Sequence, residues 1–420
     1  MPERRPLLEP SRRRWNTSRI HNFAIRRPKV DSSRALEELP DATRMSLIVG
    51  LFPSLNSTGG VQRAGRHVAA VAAQLASERR FAYRFLSLND PQGLHTVRFA
   101  SSEFSFSGHA RDKAQFSFAA MHAAGRGPSL ILCLHPYLAP IAWAMKLRAR
   151  NARSMVFAHG IEVAQPLGWL RQAALRHADH AIGPSKYTVK QLISVQGVRA
   201  EKVHRLPWGL DPEFDARLAQ NDHPPLPSGF PQSGKIILTV GRWDPAERYK
   251  GADTLISALP HVLRTFPNAF LVLVGDGADR SRLEQLARES GVSQRTCFLP
   301  VITKEELFAC YAACQVFALP SSGEGFGLVF LEAMAHGKPV IGGAHGGIPD
   351  VVVDGVTGLL VPHGEIERLS AALAFLLNDP VRAGAMGAAG RDRLLQEFTF
   401  AKFAEQLRWH LNNVLLRKTS

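Results

Sequence analysis

Short apolar runs alternate with helix-like stretches along most of this chain, and this alternation constrains its fold more than any other feature. Strand-like runs such as 46–52, 129–134 and 154–158 are separated by amphipathic patterns such as 61–77. A strand, a helix and a second strand in sequence predict a βαβ unit with parallel strands. The chain is therefore expected to be an α/β protein built on open, doubly wound sheets.

The alternation is interrupted once, at residues 221–234, and then starts again. This segment, NDHPPLPSGFPQSG, has the Pro, Gly and Ser content of a linker. Two Rossmann-like domains facing across a cleft are therefore predicted. The predicted divisions are a disordered basic extension over 1–44, an N-terminal domain over 45–220, the linker over 221–234, a C-terminal domain over 235–400 and a closing helix over 401–420 that packs back on the N-terminal domain.

The basic residues are concentrated in the N-terminal half. The net charge of +15 divides into +5 for residues 1–44, +10 for residues 45–215 and zero for residues 216–420. This asymmetry predicts a surface that faces anionic lipid, an anionic polymer or nucleic acid. Nucleic acid is the less favoured partner, because the sequence has no recognition-helix or aromatic-platform motif.

The sequence favours a cytoplasmic location. No apolar run reaches the roughly 20 residues that span a bilayer, and the N-terminus has no apolar signal core. Basic, Trp-containing patterns at 140–153 and 167–176 predict helices that can lie on the inner face of the plasma membrane. The same patterns are equally typical of scaffold helices with a solvated charged face.

The densest motif is the segment 321–333, SSGEGFGLVFLEA, which follows a buried strand-like run. Open α/β sheets bind ligands where a strand ends in such a glycine-rich loop and a helix begins. Gly325 and Gly327 allow a ligand to approach the backbone closely. The amides of Leu328 and Val329 open the helix and are expected to bind an anion such as a diphosphate.

Two carboxylates flank this predicted anion site. Glu332 lies about one turn into the helix, roughly 6 Å along it, where a carboxylate can accept both hydroxyls of a ribose. Glu324 lies in the loop, on the other side of the anion. Their order along the chain therefore matches the order sugar, diphosphate, ribose in a sugar nucleotide.

Cations for the diphosphate are predicted from the strand-like run 235–240. Arg242 follows the end of this run, and Lys250 returns near the start of the next helix. A guanidinium and an ammonium can hold the charge of a departing nucleoside diphosphate without a metal. No Asp-x-Asp or His/carboxylate cluster has the spacing of a divalent-cation site, so no metal and no cofactor is predicted.

These motifs together resemble the retaining glycosyltransferases of family 4, which have the GT-B fold. The resemblance covers nearly all of residues 46–416 and is most specific over 236–362. It is carried by four motifs: Gly241-Arg242 with Lys250-Gly251, Val274-Gly275-Asp276-Gly277, the pair Glu324/Glu332, and Gly346-Gly347-Ile348-Pro349-Asp350. It implies transfer of a hexosyl group from a nucleotide-diphosphate sugar to a lipid-linked or polysaccharide acceptor.

The resemblance also implies roles for individual residues. Arg242 and Lys250 bind the donor diphosphate, Glu324 holds the donor sugar and Glu332 holds the ribose. The backbone from Gly325 through Phe326, Gly327 and Leu328 to Val329 contacts sugar and phosphate. The C-terminal domain is then the donor-binding domain and the N-terminal domain lies on the acceptor side.

Two further motifs of the N-terminal half resemble the family pattern. Gly59-Gly60 resembles the glycine loop that closes over the donor phosphate, and His159 resembles the histidine that hydrogen-bonds the donor sugar. A histidine at a strand end is often structural, and His135 is interpreted mainly in that way. The catalytic set is thus predicted as His159, Glu324, Arg242 and Lys250.

Other functions stay open at this point. A sugar-nucleotide epimerase or a phosphorylase can share the fold, although no paired acid and base and no pyridoxal lysine are evident. A basic nucleic-acid-binding or partner-binding protein is the non-enzymatic alternative. The motifs do not distinguish UDP-, GDP- and ADP-sugars.

Overall fold

The computed structural model describes residues 46–99, 102–214, 217 and 224–416. For residue 416 it describes the backbone alone. The extension over 1–44, predicted to be disordered, lies outside the described residues, as do residues 221–223 of the predicted linker. The described residues between 46 and 416 form one compact unit. That unit contains two α/β domains, each with its own sheet, so the predicted fold class is confirmed.

The N-terminal sheet has the strand order β3-β4-β2-β1-β5-β6-β7-β8. Its strands are β1 Leu47–Phe52, β2 Ala82–Ser87, β3 Gly93–Phe99, β4 Ser102–Gly108, β5 Leu130–Cys133, β6 Arg153–Phe157, β7 His180–Gly183 and β8 Val203–Arg205. Its helices are α1 Gly60–Arg79, α2 Lys113–Gly125, α3 Ala139–Arg148, α4 Trp169–His177 and α5 Lys186–Ser194, with 3₁₀ turns at Pro136–Leu138, Ile161–Val163 and Ala200–Lys202.

Every described pairing in this sheet is parallel except that of β3 with β4. The sequence analysis did not predict β2 or the β3–β4 hairpin. β4 nevertheless carries a period-two signal, because Phe104 and Phe106 alternate with polar residues and are buried against the core. The hairpin occupies the edge of the sheet.

The C-terminal sheet is entirely parallel, with the order β11-β10-β9-β12-β13-β14. Its strands are β9 Lys235–Val240, β10 Ala269–Val274, β11 Thr296–Leu299, β12 Val316–Leu319, β13 Val340–Gly343 and β14 Gly358–Val361. The helices of this part are α6 Ala252–Thr265, α7 Arg280–Glu289, α8 Lys304–Ala313, α9 Leu328–Ala335, α10 Ile348–Val351, α11 Ile366–Asn378, α12 Pro380–Glu397 and α13 Phe400–Leu416, with 3₁₀ segments at Pro245–Lys250 and Ser293–Arg295.

The strand order reverses between β9 and β12, and in the first sheet between β1 and β5. Loops that leave the carboxyl ends of such neighbouring strands diverge and open a crevice for a ligand. The glycine-rich loop after β12 and the Gly241-Arg242 motif after β9 share one of these crevices. The Gly59-Gly60 loop after β1 and His135 after β5 share the other.

The last helix, α13, packs against α1 of the N-terminal domain. Leu407 and Leu411 are fully buried, and the ring of His67 in α1 lies 5.2 Å from that of Phe400. Arg408 forms two hydrogen bonds to Glu78 on the surface, at 2.6 and 2.8 Å. Within the described ranges, no helix has both the length and the apolar content needed to cross a membrane.

We expect apolar burial, not the surface ion pair, to fix α13. Leu411→Ala removes a fully buried side chain and should destabilise the protein by about 2–5 kcal/mol. Arg408→Ala breaks a pair whose partners are partly exposed and should cost less than about 1 kcal/mol. Thermal unfolding followed by circular dichroism compares the two, and an equal loss in both variants would contradict this account.

Candidate functional site

The glycine-rich loop after β12 leads directly into α9. Gly327 precedes the helix with a φ of 90°, a conformation that glycine adopts without strain, and no side chain caps the helix there. The amides of Leu328 and Val329, at the start of α9, therefore have no intrahelical acceptor and no side-chain cap. Phe326 is buried, with its ring centroid 5.7 Å from that of Phe398, which anchors the loop.

The loop touches the N-terminal domain at Gly325. A Cβ atom at this position would overlap the carbonyl oxygen of His159 and lie 2.9 Å from the Cα of Gly160, so only glycine fits. The Gly346-Gly347 motif supports the loop from the other side, because the N–H of Gly347 donates to the carbonyl of Glu324 at 2.7 Å. The loop is therefore held between the two domains.

Glu324 is half-buried in this loop. Burial raises the pKa of its carboxyl group, and the nearby Lys250 opposes that rise. Burial lowers the pKa of the Lys250 ammonium, and Glu324 opposes that fall. The carboxyl group of Glu324 and the ammonium of Lys250 therefore lie close enough to interact electrostatically.

Glu247 accepts from both predicted diphosphate-binding cations. Lys250 lies at the end of the 3₁₀ segment, and its Nζ is 2.7 Å from Oε2 of Glu247. Arg242 pairs with the other oxygen of the same carboxylate and is 71% exposed. Glu247 was not predicted as a site residue from the sequence. A diphosphate that binds these two cations must share them or compete for them with that carboxylate.

Glu332 lies in α9, as predicted, but it is only 3% exposed and both of its oxygens have protein partners. Oε1 accepts from the guanidinium of Arg63 in α1, and Oε2 accepts from the hydroxyl of Tyr311 in α8 at 2.7 Å. Arg63 also donates to Asp211 at 3.0 Å, and His67 lies 2.5 Å from the other oxygen of Asp211. A buried network therefore connects the N-terminal domain to α9.

The electrostatics of this network follow from burial and pairing. Burial alone lowers the pKa of Arg63, but the carboxylates of Glu332 and Asp211 raise it above its ordinary value. Burial alone raises the pKa of Asp211, but Arg63 and His67 bring it well below its ordinary range. Burial lowers the pKa of His67 and raises that of Tyr311. Arg63 is therefore charged, and Tyr311 is a neutral donor.

The sequence analysis did not single out Arg63, His67 or Tyr311. The available signal was the spacing of Arg63 and His67, which lie one helical turn apart and so share a face of α1. Their partners are far away in the sequence, with Arg63 and Glu332 separated by 269 residues. No local pattern identifies such a pair.

His159 follows β6 and lies in a stack of rings. Its ring centroid is 5.5 Å from that of Trp208 and 5.7 Å from that of His135. Its Nε2 is 2.7 Å from the carbonyl oxygen of Leu134, so Nε2 carries a proton and donates. Nδ1 is the ring nitrogen that can face a ligand. Burial lowers the pKa of His135 to about 4, so that ring is neutral.

The Gly59-Gly60 loop begins α1, again without a side-chain cap. Asp90 holds the preceding turn, because it accepts from Ser54 at 2.7 Å and from the N–H of Leu55 at 2.6 Å. A cavity of about 570 Å³ opens beside this loop. It is lined by Ser54, Asn56, Ser57, Gln62, Asn89, Asp90, Pro91 and Arg111. The lining combines hydroxyl and amide groups with one carboxylate and one guanidinium, which suits a polyol ligand.

The predicted roles of the site residues stay predictions. The structure brings Glu324, Lys250 and the His159–Gly160 turn together, and it places Glu332 one helical turn beyond the open amides of α9. Among the residues that the structure describes, no cluster of three or more His, Cys, Asp or Glu side chains is arranged to hold a metal ion.

Comparison with known proteins gives two family matches that together span most of the chain. Residues 59–214 match the family described as Glycosyltransferase Family 4, and residues 226–393 match Glycosyl transferases group 1. Both matches agree with the resemblance inferred from the motifs.

Curated relatives support the same assignment. The GDP-mannose-dependent alpha-(1-6)-phosphatidylinositol monomannoside mannosyltransferase of Mycolicibacterium smegmatis is 35% identical over 280 residues, which are 62% of this chain and 71% of the relative. A D-inositol 3-phosphate glycosyltransferase of Corynebacterium aurimucosum is 40% identical over 185 residues, 43% of each protein.

Solved structures share the fold. Sucrose-phosphate synthase from Thermosynechococcus elongatus superposes with a TM-score of 0.72 at 24% identity, covering 89% of this chain and 100% of that one. Anabaena Alr3699/HepE, in complex with UDP, has a TM-score of 0.66 at 19% identity and covers 88% and 100%. With the family matches and the relatives, these likenesses identify the chain as a member of glycosyltransferase family 4, with the GT-B fold and a nucleotide-sugar donor.

Proposed function

We propose that this chain is a retaining, metal-independent mannosyltransferase that uses GDP-mannose and a lipid-linked acceptor carrying a polyol headgroup. The contact between the Gly325 loop and the His159–Gly160 turn is the observation that carries this proposal. It sets Glu324 and Lys250 beside the loops that end the N-terminal strands. GDP-mannose and the inositol-containing acceptor are suggested by the printed activities of the relatives.

In the proposed complex the donor lies along the segment from Glu324 to Glu332. The sugar hydroxyls donate to Glu324, and Nδ1 of His159 accepts from the sugar. The diphosphate lies at the start of α9, between its amides and the cations Arg242 and Lys250. The Gly59-Gly60 loop covers the phosphate from the N-terminal domain. The ribose hydroxyls donate to Glu332.

The chemistry we propose is a front-face substitution. The bond between the anomeric carbon and the phosphate oxygen breaks, and the acceptor oxygen bonds to that carbon on the same face. The departing phosphate takes the proton of the acceptor hydroxyl, so GDP leaves and the anomeric configuration is retained. Arg242 and Lys250 stabilise the charge on the phosphate, which is the role that a divalent cation has in other transferases.

The acceptor is proposed to bind the N-terminal domain. Its polyol headgroup fits the polar cavity beside Gly59-Gly60, where Arg111 can pair with an acceptor phosphate. Exposed apolar side chains on the neighbouring helices α3 and α4, including Trp169 and Leu147, would then lie on the membrane that holds the lipid. We therefore propose that the protein works in the cytoplasm, on the inner face of the plasma membrane.

We expect the full-length protein to turn over GDP-mannose in preference to UDP- and ADP-glucose, with the same rate in EDTA. Glu324→Gln and Lys250→Met should each lower kcat by about 100-fold or more, because each removes a contact to the sugar or the leaving group. Glu289→Gln, an exposed position in α7, is the matched control. Rates are measured as GDP release, and the anomeric configuration of the product by NMR.

Three results would contradict the proposal or a part of it. Loss of turnover in EDTA would mean that a metal ion takes part. Failure to turn over any nucleotide sugar would remove the catalytic interpretation altogether. An inverted product would leave transfer in place but exclude the front-face step.

Membrane contact is tested by flotation with vesicles that contain anionic lipid. Trp169 is 80% exposed and Leu170 42% exposed, and Arg148 and Arg171 nearby are exposed as well. The double variant W169S/L170S should float several-fold less than the wild type, because inserted apolar area is lost. Val381→Ser, at a position 84% exposed in α12, should float like the wild type. Unchanged flotation of the double variant would contradict the assignment.

A further inference from the structure

Both carboxylate oxygens of Glu332 accept hydrogen bonds from protein side chains, although Glu332 is proposed to bind a ribose. Each carboxylate oxygen offers two acceptor sites. Arg63 takes one site on Oε1 and Tyr311 takes one on Oε2. One acceptor site on each oxygen therefore has no donor from these two side chains, which is the number that two adjacent ribose hydroxyls need.

The two protein contacts also restrict how this carboxylate can turn. A glutamate side chain that contacts only solvent samples many rotamers, and ordering it on binding costs free energy. The Tyr311 hydroxyl comes from α8 of the same domain, while Arg63 comes from α1 of the other domain. Between them they fix the plane of the carboxylate before any ligand arrives.

Arg63 is also the charge partner of Glu332. The side chain of Glu332 is 4% exposed, and burying a carboxylate costs free energy unless an opposite charge pairs with it. Arg63 supplies the opposing charge within hydrogen-bond distance. Asp211 fixes the other edge of the Arg63 guanidinium, and His67 in turn fixes Asp211.

We infer that Arg63 and Tyr311 are positioning residues, which orient the Glu332 carboxylate for the ribose hydroxyls. Arg63, a residue of the N-terminal domain, thereby acts on a nucleotide contact made by the C-terminal domain. This inference rests on the proposed function, because it takes Glu332 as the ribose-binding residue. An ion pair that only joins the two domains would affect every nucleotide equally. A positioning role affects the ribose hydroxyls specifically.

The test measures nucleotide discrimination with the full-length protein. Isothermal titration calorimetry gives the Kd for GDP and for 2′,3′-dideoxy-GDP, and the ratio of the two isolates the contribution of the hydroxyls. The wild type should prefer GDP by roughly tenfold or more, since a charged acceptor strengthens both hydrogen bonds. Glu332→Gln should reduce that ratio and serves as the reference.

In Arg63→Met the ratio should fall towards one, and in Tyr311→Phe it should fall about two- to threefold. Arg79→Met, the same substitution at an exposed position of α1, should keep the wild-type ratio. Tyr311→Phe loses a single hydroxyl, so it tests the inference even when Arg63→Met does not fold, as judged by its thermal unfolding.

Two outcomes would contradict the inference, one for the positioning role of Arg63 and Tyr311 and one for the contact between the ribose and Glu332. If Tyr311→Phe and a folded Arg63→Met bind both nucleotides more weakly by the same factor, the ratio is unchanged and these residues are structural only. If the wild type binds GDP and dideoxy-GDP equally well while it still turns over GDP-mannose, the ribose does not bind Glu332. The proposed transferase function then survives and the inference fails.

Discussion

A guanidinium with little access to solvent costs free energy unless carboxylates pair with it, and Arg63, whose side chain is 16% exposed, pairs with two of them. Its contacts reach Asp211, in the segment that follows the first sheet, and Glu332, in the helix that begins at the candidate phosphate site. Arg63 lies on α1, which packs on the N-terminal sheet. Its two ion pairs therefore join the N-terminal domain both to the segment that contains Asp211 and to α9. Gly325 against His159, and the N–H of Lys186 on Asp350 at 3.0 Å, extend the same closed contact between the domains.

In this closed arrangement the residues of the candidate site follow the same order as the parts of the proposed ligand. Glu324 and Lys250 lie at the sugar and phosphate end, the open amides of α9 lie in the middle, and Glu332 lies at the ribose end. Fixed backbone dipoles and side-chain cations can stabilise charge on a leaving diphosphate without reorganisation during the reaction. The carboxylate of Glu247 pairs with both Arg242 and Lys250 and so holds these two cations near each other.

The sequence predicted those parts of the structure that depend on local pattern. The strand–loop–helix unit around Gly325 and Gly327 was recognised, because glycine spacing, apolar runs and helix starts are local properties. The β3–β4 hairpin was missed, since its short alternating segments resemble loops. Arg63, Tyr311 and Glu247 were missed for a different reason. Their roles depend on which residues the tertiary fold brings beside them. From the sequence of helix α1 alone, Arg63 has the pattern of an ordinary surface residue.

A crystal structure of the full-length protein with GDP-mannose would show whether the segment 321–333 holds a nucleotide sugar. We expect the diphosphate at the N-terminus of α9, within hydrogen-bond distance of Arg242 and Lys250. Both ribose hydroxyls should contact Glu332, while Arg63 and Tyr311 keep their contacts to its carboxylate. A diphosphate bound elsewhere, or bound through a metal ion, would show that this segment does not hold the donor in the proposed way.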